Sequence, residues 1–165
     1  MWKGIDVSDN QGAVSWNQVK EAGCQFAVLR SVRRSGKPDA QFGANVSGCR
    51  ANGIPFEVYK YTYADVPSQA AEEAKQVVDL LQSHHLSCRI WWDVEDISLK
   101  KIGAGVLTGL IRSAWNIVEG AGMEFGIYTG LAFYHTGHFD PAAFDCPFWI
   151  ARYPTSAYYP FSAAP

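Results

Sequence analysis

Two carboxylates, Asp93 and Glu95, follow a short apolar run and are the residues of this chain best placed to do chemistry. The run, from Ile90 to Val94, is typical of a strand buried on both faces, where an unpaired charge is costly. Side chains alternate along a strand, so both carboxylates project from one face, with Cα atoms roughly 6.5 Å apart. Mutual repulsion and poor solvation should raise one of the two pKa values. One protonated and one ionised carboxyl group form the pair that acid-catalysed glycoside cleavage needs, whereas the plainer alternative is a strand that simply ends in solvent.

Six runs of strand length recur along the chain, at residues 3–8, 26–31, 54–64, 90–94, 125–129 and 148–153. Helices are expected between them, with Ser15, Asp39 and Ser98 as N-caps, at residues 16–22, 39–53, 69–83 and 98–120. A short helix is also expected within 130–147. Strands that alternate with helices predict a parallel sheet, either an open doubly wound sheet or a β/α barrel. No G-x-G-x-x-G or P-loop sequence follows a strand, so a nucleotide-binding fold has no direct support.

Polar and aromatic groups share one face of almost every predicted strand, and aliphatic residues occupy the other. The first face carries Asp6, Arg30, Tyr59, Tyr61, Asp93, Glu95, Tyr128, Trp149 and Tyr153. The opposite face, suited to packing under helices, carries Ile5, Val7, Leu29, Val58, Val94 and Ile127. A barrel places its chemistry at the carboxyl ends of its strands, where Asp6, Tyr61, Glu95 and Tyr153 are expected. The repeated asymmetry predicts one shared central pocket.

Composition narrows the classes of partner. A chain of 165 residues with 48% hydrophobic residues suggests one domain with a substantial core. A net charge of −2 without a basic run argues against nucleic acid. No apolar segment resembles a signal peptide or is long enough to span a bilayer, so no membrane partner is expected. The scattered cysteines indicate core thiols of a reducing compartment, and we expect neither a metal nor a cofactor; they are Cys24, Cys49, Cys88 and Cys146.

An ordered set of motifs, each near a strand end, spans essentially the whole chain. The set comprises Gly4-Ile5-Asp6-Val7-Ser8, Gln11, Trp16, Phe26-Ala27-Val28-Leu29-Arg30, Gly53-Ile54-Pro55, Tyr59-Lys60-Tyr61, Asp93-Val94-Glu95, Gly126-Ile127-Tyr128 and Trp149-Ile150-Ala151-Arg152-Tyr153. With these motifs the chain resembles glycoside hydrolase family 25, the Chalaropsis-type lysozymes found as phage endolysins and bacterial autolysins. The resemblance implies an irregular, TIM-like β/α barrel. It also implies hydrolysis of the β-1,4 bond between N-acetylmuramic acid and N-acetylglucosamine in peptidoglycan.

The resemblance also assigns roles by position. Glu95 matches the family's general acid, Asp93 the carboxylate that assists the substrate's own N-acetyl group, and Asp6 the carboxylate on the first strand. The acid role requires a raised pKa for Glu95, on the order of 6. Direct attack by water with inversion stays open, because the carboxyl spacing decides between the routes. Further residues are expected to line the sugar groove or to orient groups in it, namely Tyr61, Tyr128, Trp149, Tyr59, Tyr153 and Arg30.

Two departures from the family pattern stand out. Lys60 replaces the usual His between two tyrosines, but alternation points it away from them, so little catalytic effect is expected. The family barrel has eight strands, whereas six are counted here before Pro165. We therefore expect residues 1–165 to be one catalytic domain that is C-terminally truncated and lacks its last two strands. A bare sheet edge invites pairing, so a second fragment or chain is expected to cover it.

Three functions remain open from the sequence. The leading hypothesis is a cell-wall muramidase with bacterial peptidoglycan as partner. The alternatives are a wall-glycan-binding module without catalysis and a D-x-E glycosidase that acts on chitin-like polymers. Without a signal peptide, synthesis in the cytoplasm and release in the manner of a phage endolysin fits best, and an exported autolysin is the alternative.

Overall fold

The computed structural model describes residues 2–152 of the chain, and its centre is one parallel sheet. The strands are β1 (Gly4–Val7), β2 (Phe26–Arg30), β3 (Phe56–Tyr61), β4 (Ile90–Asp93), β5 (Phe125–Gly130) and β6 (Phe148–Ala151). The helices are α1 (Trp16–Glu21), α2 (Phe42–Ala51), α3 (Pro67–Ser83), α4 (Ala104–Gly120) and α5 (Leu131–His135). The strands pair in chain order from β1 to β6, as a curled half-barrel. This confirms the predicted α/β fold, an incomplete TIM-like barrel.

The core lies between the outer face of the sheet and the helices. Each helix returns the chain to the start of the next parallel strand, because parallel pairing requires a crossover. On the outer face Leu29, Val58 and Ile127 are completely buried. Helices α3 and α4 pack against each other over this face. The inner face is thereby left to the polar and aromatic residues that alternation assigned to it.

The start of the first helix differs from the prediction. Ser15 precedes α1 but its side chain makes no capping hydrogen bond. The capping box forms earlier, where the Ser8 hydroxyl accepts from Asn10 N–H at 3.2 Å and Gln11 Oε1 accepts from Ser8 N–H at 2.8 Å. It closes a 3₁₀ turn, Asp9–Gln11, directly after β1. The strand end that carries Asp6 is therefore held by a local polar turn.

The segment after β4 also starts its long helix later than predicted. The carboxylate of Asp96 accepts a hydrogen bond from Ser98 N–H at 2.8 Å and begins the 3₁₀ turn Ile97–Lys101. Ser98 lies within this turn and is not the N-cap of the long helix that follows. Helix α4 begins only after Gly103. Likewise α2 begins at Phe42 rather than at the predicted cap residue Asp39.

The sheet is not closed within the described residues. There β1 and β6 each have one strand neighbour and do not pair with each other. That a second fragment or chain covers this open edge stays a prediction.

The four cysteines are free thiols, and Cys24 and Cys49 are buried. Burial raises the pKa of Cys49 and of Cys88 to about 12, so both thiols are protonated and poorly nucleophilic at neutral pH. Among residues 2–152 no helix combines the length and the apolar character needed to cross a bilayer.

Candidate active site

One row of the sheet register places four predicted site residues side by side. Tyr61 is paired with Asp93, Asp93 with Tyr128, and Tyr128 with Trp149, on the adjacent strands β3 to β6. Residues paired across parallel strands point to the same face, so these side chains share the concave side of the sheet. The rings of Tyr128 and Trp149 meet edge to face, with centroids 4.9 Å apart. The row presents one carboxyl group between aromatic walls.

These side chains line a hollow of about 190 Å³ on the inner face of the half-barrel. Its lining comprises Asp6, Tyr59, Tyr61, Asp93, Glu95, Tyr128 and Trp149. Asp6 belongs to a lower register row on β1, but strands of a barrel are tilted and staggered, which brings different rows to one level. Seven of the nine predicted site residues therefore meet in one place.

Of the other two predicted site residues, Arg30 is described by the structure and does not line this hollow. Arg30 lies beside it, where its Nε donates to Asp39 Oδ2 at 2.7 Å and its Nη2 donates to Asp9. The carboxylates that Arg30 orients are therefore outside the hollow. Tyr153 lies outside the residues that the structure describes.

Asp93 is the most deeply buried carboxyl group of the hollow, with 6% of its surface exposed. Its Oδ1 is buried and has no hydrogen-bond partner in residues 2–152. Burial, followed by the charges of Glu95 and Asp6, raises the pKa of Asp93 to about 8, against an opposing effect of Lys60. Asp93 is thus mainly protonated at neutral pH. The role of general acid, which the resemblance assigned to Glu95, had implied a raised pKa for that residue.

The pKa of Glu95 is also raised, by burial and then by the charge of Asp6. Asp93 and Glu95 lie in one poorly hydrated hollow, where the charge of one disfavours ionisation of the other. Such groups titrate together, so a proton is shared by the pair rather than held by a single residue. The hollow therefore holds an acid and its conjugate base side by side at neutral pH.

Trp91 lies two residues before Asp93 on the same face of β4, and we call its ring the floor of this face. Its indole N–H donates to Glu57 Oε2 at 2.6 Å, and its ring lies 5.7 Å from that of Trp149. Gly126 is its register partner on β5. A Cβ atom at Gly126 would lie 2.7 Å from the Trp91 ring, so only glycine leaves room for this floor. Nothing in the sequence around Gly126 indicates this close contact.

Lys60 lies behind the hollow, on the outer face, as alternation predicted, and is 1% exposed. Its Nζ donates to the carbonyl of Tyr61 at 2.6 Å and to Glu73 Oε1 at 3.2 Å. The Glu73 carboxylate also accepts from Thr62 Oγ1 at 2.7 Å and from Tyr63 N–H at 3.2 Å. Glu73, on α3, thereby ties down the end of β3. Its position in an ordinary helical pattern carried no signal of this role.

Comparison with known proteins was made on the sequence and on the fold. A model of the family described as "Glycosyl hydrolases family 25" matches residues 5–163. The autolytic lysozyme of Clostridium acetobutylicum is 27% identical over 154 residues, which are 93% of this chain and 46% of that protein. Lysozyme M1 of Streptomyces globisporus is 28% identical over 169 residues, covering 94% and 56% respectively. The chain spans about half the length of these curated relatives.

A solved structure supports the same relationship. The modular autolysin LytC of Streptococcus pneumoniae, in complex with a synthetic peptidoglycan ligand, superposes with a TM-score of 0.73. The two sequences are 26% identical, and the match covers 82% of this chain and 34% of that one.

Proposed function

The chain belongs to glycosyl hydrolase family 25, and on that premise we propose that it is a peptidoglycan hydrolase acting at the bacterial cell wall. The bond cleaved is the β-1,4 linkage between N-acetylmuramic acid and N-acetylglucosamine. The observation that carries the proposal is the hollow in which Asp6, Asp93 and Glu95 lie between aromatic walls. Aromatic faces pack against sugar rings, while paired carboxyl groups supply the acid and the stabilising base.

Glu95 acts in this proposal as the general acid. It is only half-buried, two residues beyond Asp93, and its pKa is raised, which is the direction that a proton donor requires. That proton goes to the glycosidic oxygen as the bond from this oxygen to C1 breaks. In the second half of the reaction, Glu95 accepts a proton from the water that attacks C1.

Asp93 assists the substrate's own N-acetyl group. Its buried Oδ1 is an acceptor without a partner in residues 2–152 and is therefore available to the N–H of the substrate's N-acetyl group. A donor to this oxygen favours the ionised form of Asp93. The shared proton then shifts to Glu95, where catalysis requires it. The N-acetyl carbonyl oxygen, aligned by Asp93, attacks C1 as the leaving group departs.

Direct attack by water is the alternative route. It inverts the configuration at C1, whereas the N-acetyl-assisted route retains it. Proton NMR of the first-formed anomer separates the two, and a β-anomer supports the assisted route. An initial α-anomer would contradict the role proposed for Asp93 while leaving the substrate assignment intact.

The test of the function is release of reducing ends and clearing of a purified peptidoglycan suspension. Glu95→Gln should lower the turnover rate by about 10²- to 10⁴-fold, since the proton donor is lost. The variant should still sediment with peptidoglycan. Glu21→Gln, the same change at an exposed position on α1, is the control and should retain full activity. Full activity of Glu95→Gln would contradict the proposal.

The same assay distinguishes the remaining candidate functions. Binding of peptidoglycan by the folded wild-type chain without release of reducing ends would indicate a glycan-binding module. More rapid cleavage of chitin oligomers than of peptidoglycan would indicate a glycosidase for another N-acetylated polymer.

A further inference from the structure

A second hollow, of about 230 Å³, adjoins the one that holds the carboxyl groups. Tyr59 and Tyr61 line both hollows, so the two hollows share a tyrosine wall. The far wall of the second hollow is cationic and consists of Arg30, Arg33 and Arg34, from the end of β2 and the segment after it. We call it the arginine hollow.

The arginine hollow carries an excess of positive charge. Asp39 is buried and already accepts three hydrogen bonds, from Arg30 Nε, from Asp9 N–H and from Gln41 N–H. Asp9 pairs with Arg30, and its Oδ2 is 3.7 Å from Arg33 Nη1, which is long for a hydrogen bond. Three guanidinium groups therefore meet two carboxylates that are both held mainly by Arg30, while the charge of Asp96 acts on Arg34 without a contact within 4.0 Å in the described residues.

Two of the three arginines have donors to offer. Arg33 has 42% of its side chain exposed, yet its Nε is buried and has no hydrogen-bond partner in residues 2–152. Arg34 forms no ion pair within 4.0 Å in the same part of the chain, and its guanidinium carbon lies 4.7 Å from the centre of the Tyr63 ring. The Tyr63 ring in turn packs against that of Tyr61, with centroids 4.8 Å apart. Stacking holds the guanidinium plane of Arg34 while leaving its edge free for an anion.

We propose that the arginine hollow binds a carboxylate of the peptide that the glycan carries, while the sugar it is attached to occupies the neighbouring hollow. This inference rests on the proposed function. A planar guanidinium edge matches the two oxygens of a carboxylate, and the shared tyrosine wall gives the peptide a surface to cross. The hollow thus makes peptide-bearing glycan strands the preferred substrate over bare strands. A phosphate group on a wall polymer offers the same anionic chemistry, and the experiment separates the two.

The kinetic test uses the double variant Arg33→Gln with Arg34→Gln. Its control, Arg50→Gln with Lys75→Gln, removes the same charge from exposed positions outside the hollow. On soluble peptide-bearing strands the double variant should raise KM about tenfold or more and leave kcat unchanged, since charge-assisted hydrogen bonds to the bound ground state are lost. On strands whose peptides an amidase has removed, the variant and the wild type should agree within about twofold. An equal rise in KM on both substrates, or none on either, would overturn the proposal.

The binding test does not depend on catalysis. Calorimetry with Glu95→Gln compares a muramyl dipeptide ending in a free carboxylate, its amide at that carboxylate, and inorganic phosphate. The free acid should bind at least tenfold more tightly than the amide, and this preference should vanish when Arg33 and Arg34 are also replaced. Tighter binding of phosphate than of the free acid would overturn the assignment to a peptide. If the wild type cleaves no glycan but this arginine-dependent preference holds, the proposed function fails and the anion site stands. An unchanged urea midpoint for each variant confirms that it is folded.

Discussion

Replacement of Asp93 by asparagine should remove a pH-dependent loss of folding stability. The folded protein raises the pKa of Asp93 from 3.8 to about 8, chiefly by burial. Between these values the native chain holds a proton that the unfolded chain has released. The free energy of unfolding must therefore fall as pH rises through this range. The stabilising contribution is complete below pH 4 and is lost by the time the pH passes 8.

The size of the effect follows from the pKa difference. One proton held only by the native state changes the free energy of unfolding by about 1.4 kcal/mol per pH unit. From pH 5 to pH 8 the upper limit is about 4 kcal/mol, reached if Asp93 alone keeps the proton. Sharing with Glu95 leaves part of this dependence in the variant. Between pH 5 and pH 8 the free energy of unfolding of Asp93→Asn should therefore rise by about 2–4 kcal/mol relative to that of the wild type.

Urea unfolding followed by tryptophan fluorescence at pH 5, 6, 7 and 8 measures this difference. Six tryptophans, two of them adjacent to Asp93, provide the signal. Asp65→Asn, the same substitution at an exposed carboxylate, serves as control and should run parallel to the wild type. If Asp93→Asn also runs parallel to the wild type, Asp93 is already ionised at pH 5. The two carboxyl groups would then not share a proton at neutral pH.

Two further predictions concern the scaffold of the site. Lys60→Met should lower the free energy of unfolding by about 1.5–3 kcal/mol, because the partly buried Glu73 loses a charge-assisted hydrogen bond. Lys60→Met combined with Glu73→Gln should lose less than the sum of the two single changes, and simple additivity in urea unfolding would contradict this coupling. Gly126→Ala should lower the free energy of unfolding by about 1–3 kcal/mol and slow glycan cleavage, because the added methyl group displaces Trp91. Gly109→Ala on α4 has open space around it and should raise the free energy of unfolding by about 0.5–1 kcal/mol. Thermal unfolding compares the two variants, and equal changes in stability would refute the close contact at Gly126.

Alternation along strands was enough to predict which side chains would meet. Tyr61, Asp93, Tyr128 and Trp149 lie on different strands, and their common row follows from parallel pairing in chain order. Period two decides the face of each side chain, and the carboxyl ends of parallel strands decide the edge. These two rules depend only on local pattern, which a sequence displays directly.

Which carboxyl group holds the proton depends on how deeply each is buried, and a local sequence pattern does not show burial. Asp93 still belongs to β4 and lies over the Trp91 floor, whereas Glu95 is two residues beyond and less buried. The larger rise in pKa therefore falls on Asp93, although the role in catalysis had suggested Glu95. Nothing in the spacing of the two residues distinguishes these outcomes.

Long-range partners were likewise out of reach. Arg30 pairs with Asp39 and Asp9, which are nine and 21 residues away, and these contacts exist only once β2 and its flanking turns are assembled. The sequence also did not show which neighbour would pair with Ser98. The carboxylate of Asp96, two residues earlier, accepts the hydrogen bond from the Ser98 N–H, and Ser98 therefore caps no helix. In both cases several residues were chemically suitable, and three-dimensional placement made the choice.

The separation of β1 from β6 has a mechanical consequence. Asp6 and Trp149 stand on the two outermost strands and yet face the same hollow. A closed barrel fixes its circumference. In the described residues the distance between β1 and β6 depends instead on the twist at five successive strand pairings, so small angular changes at each pairing add up to a wider or narrower mouth of the hollow. In the function proposed above, a sugar bound between these two strands would limit this change. Ligand occupancy and the rigidity of the described part of the sheet would then be linked.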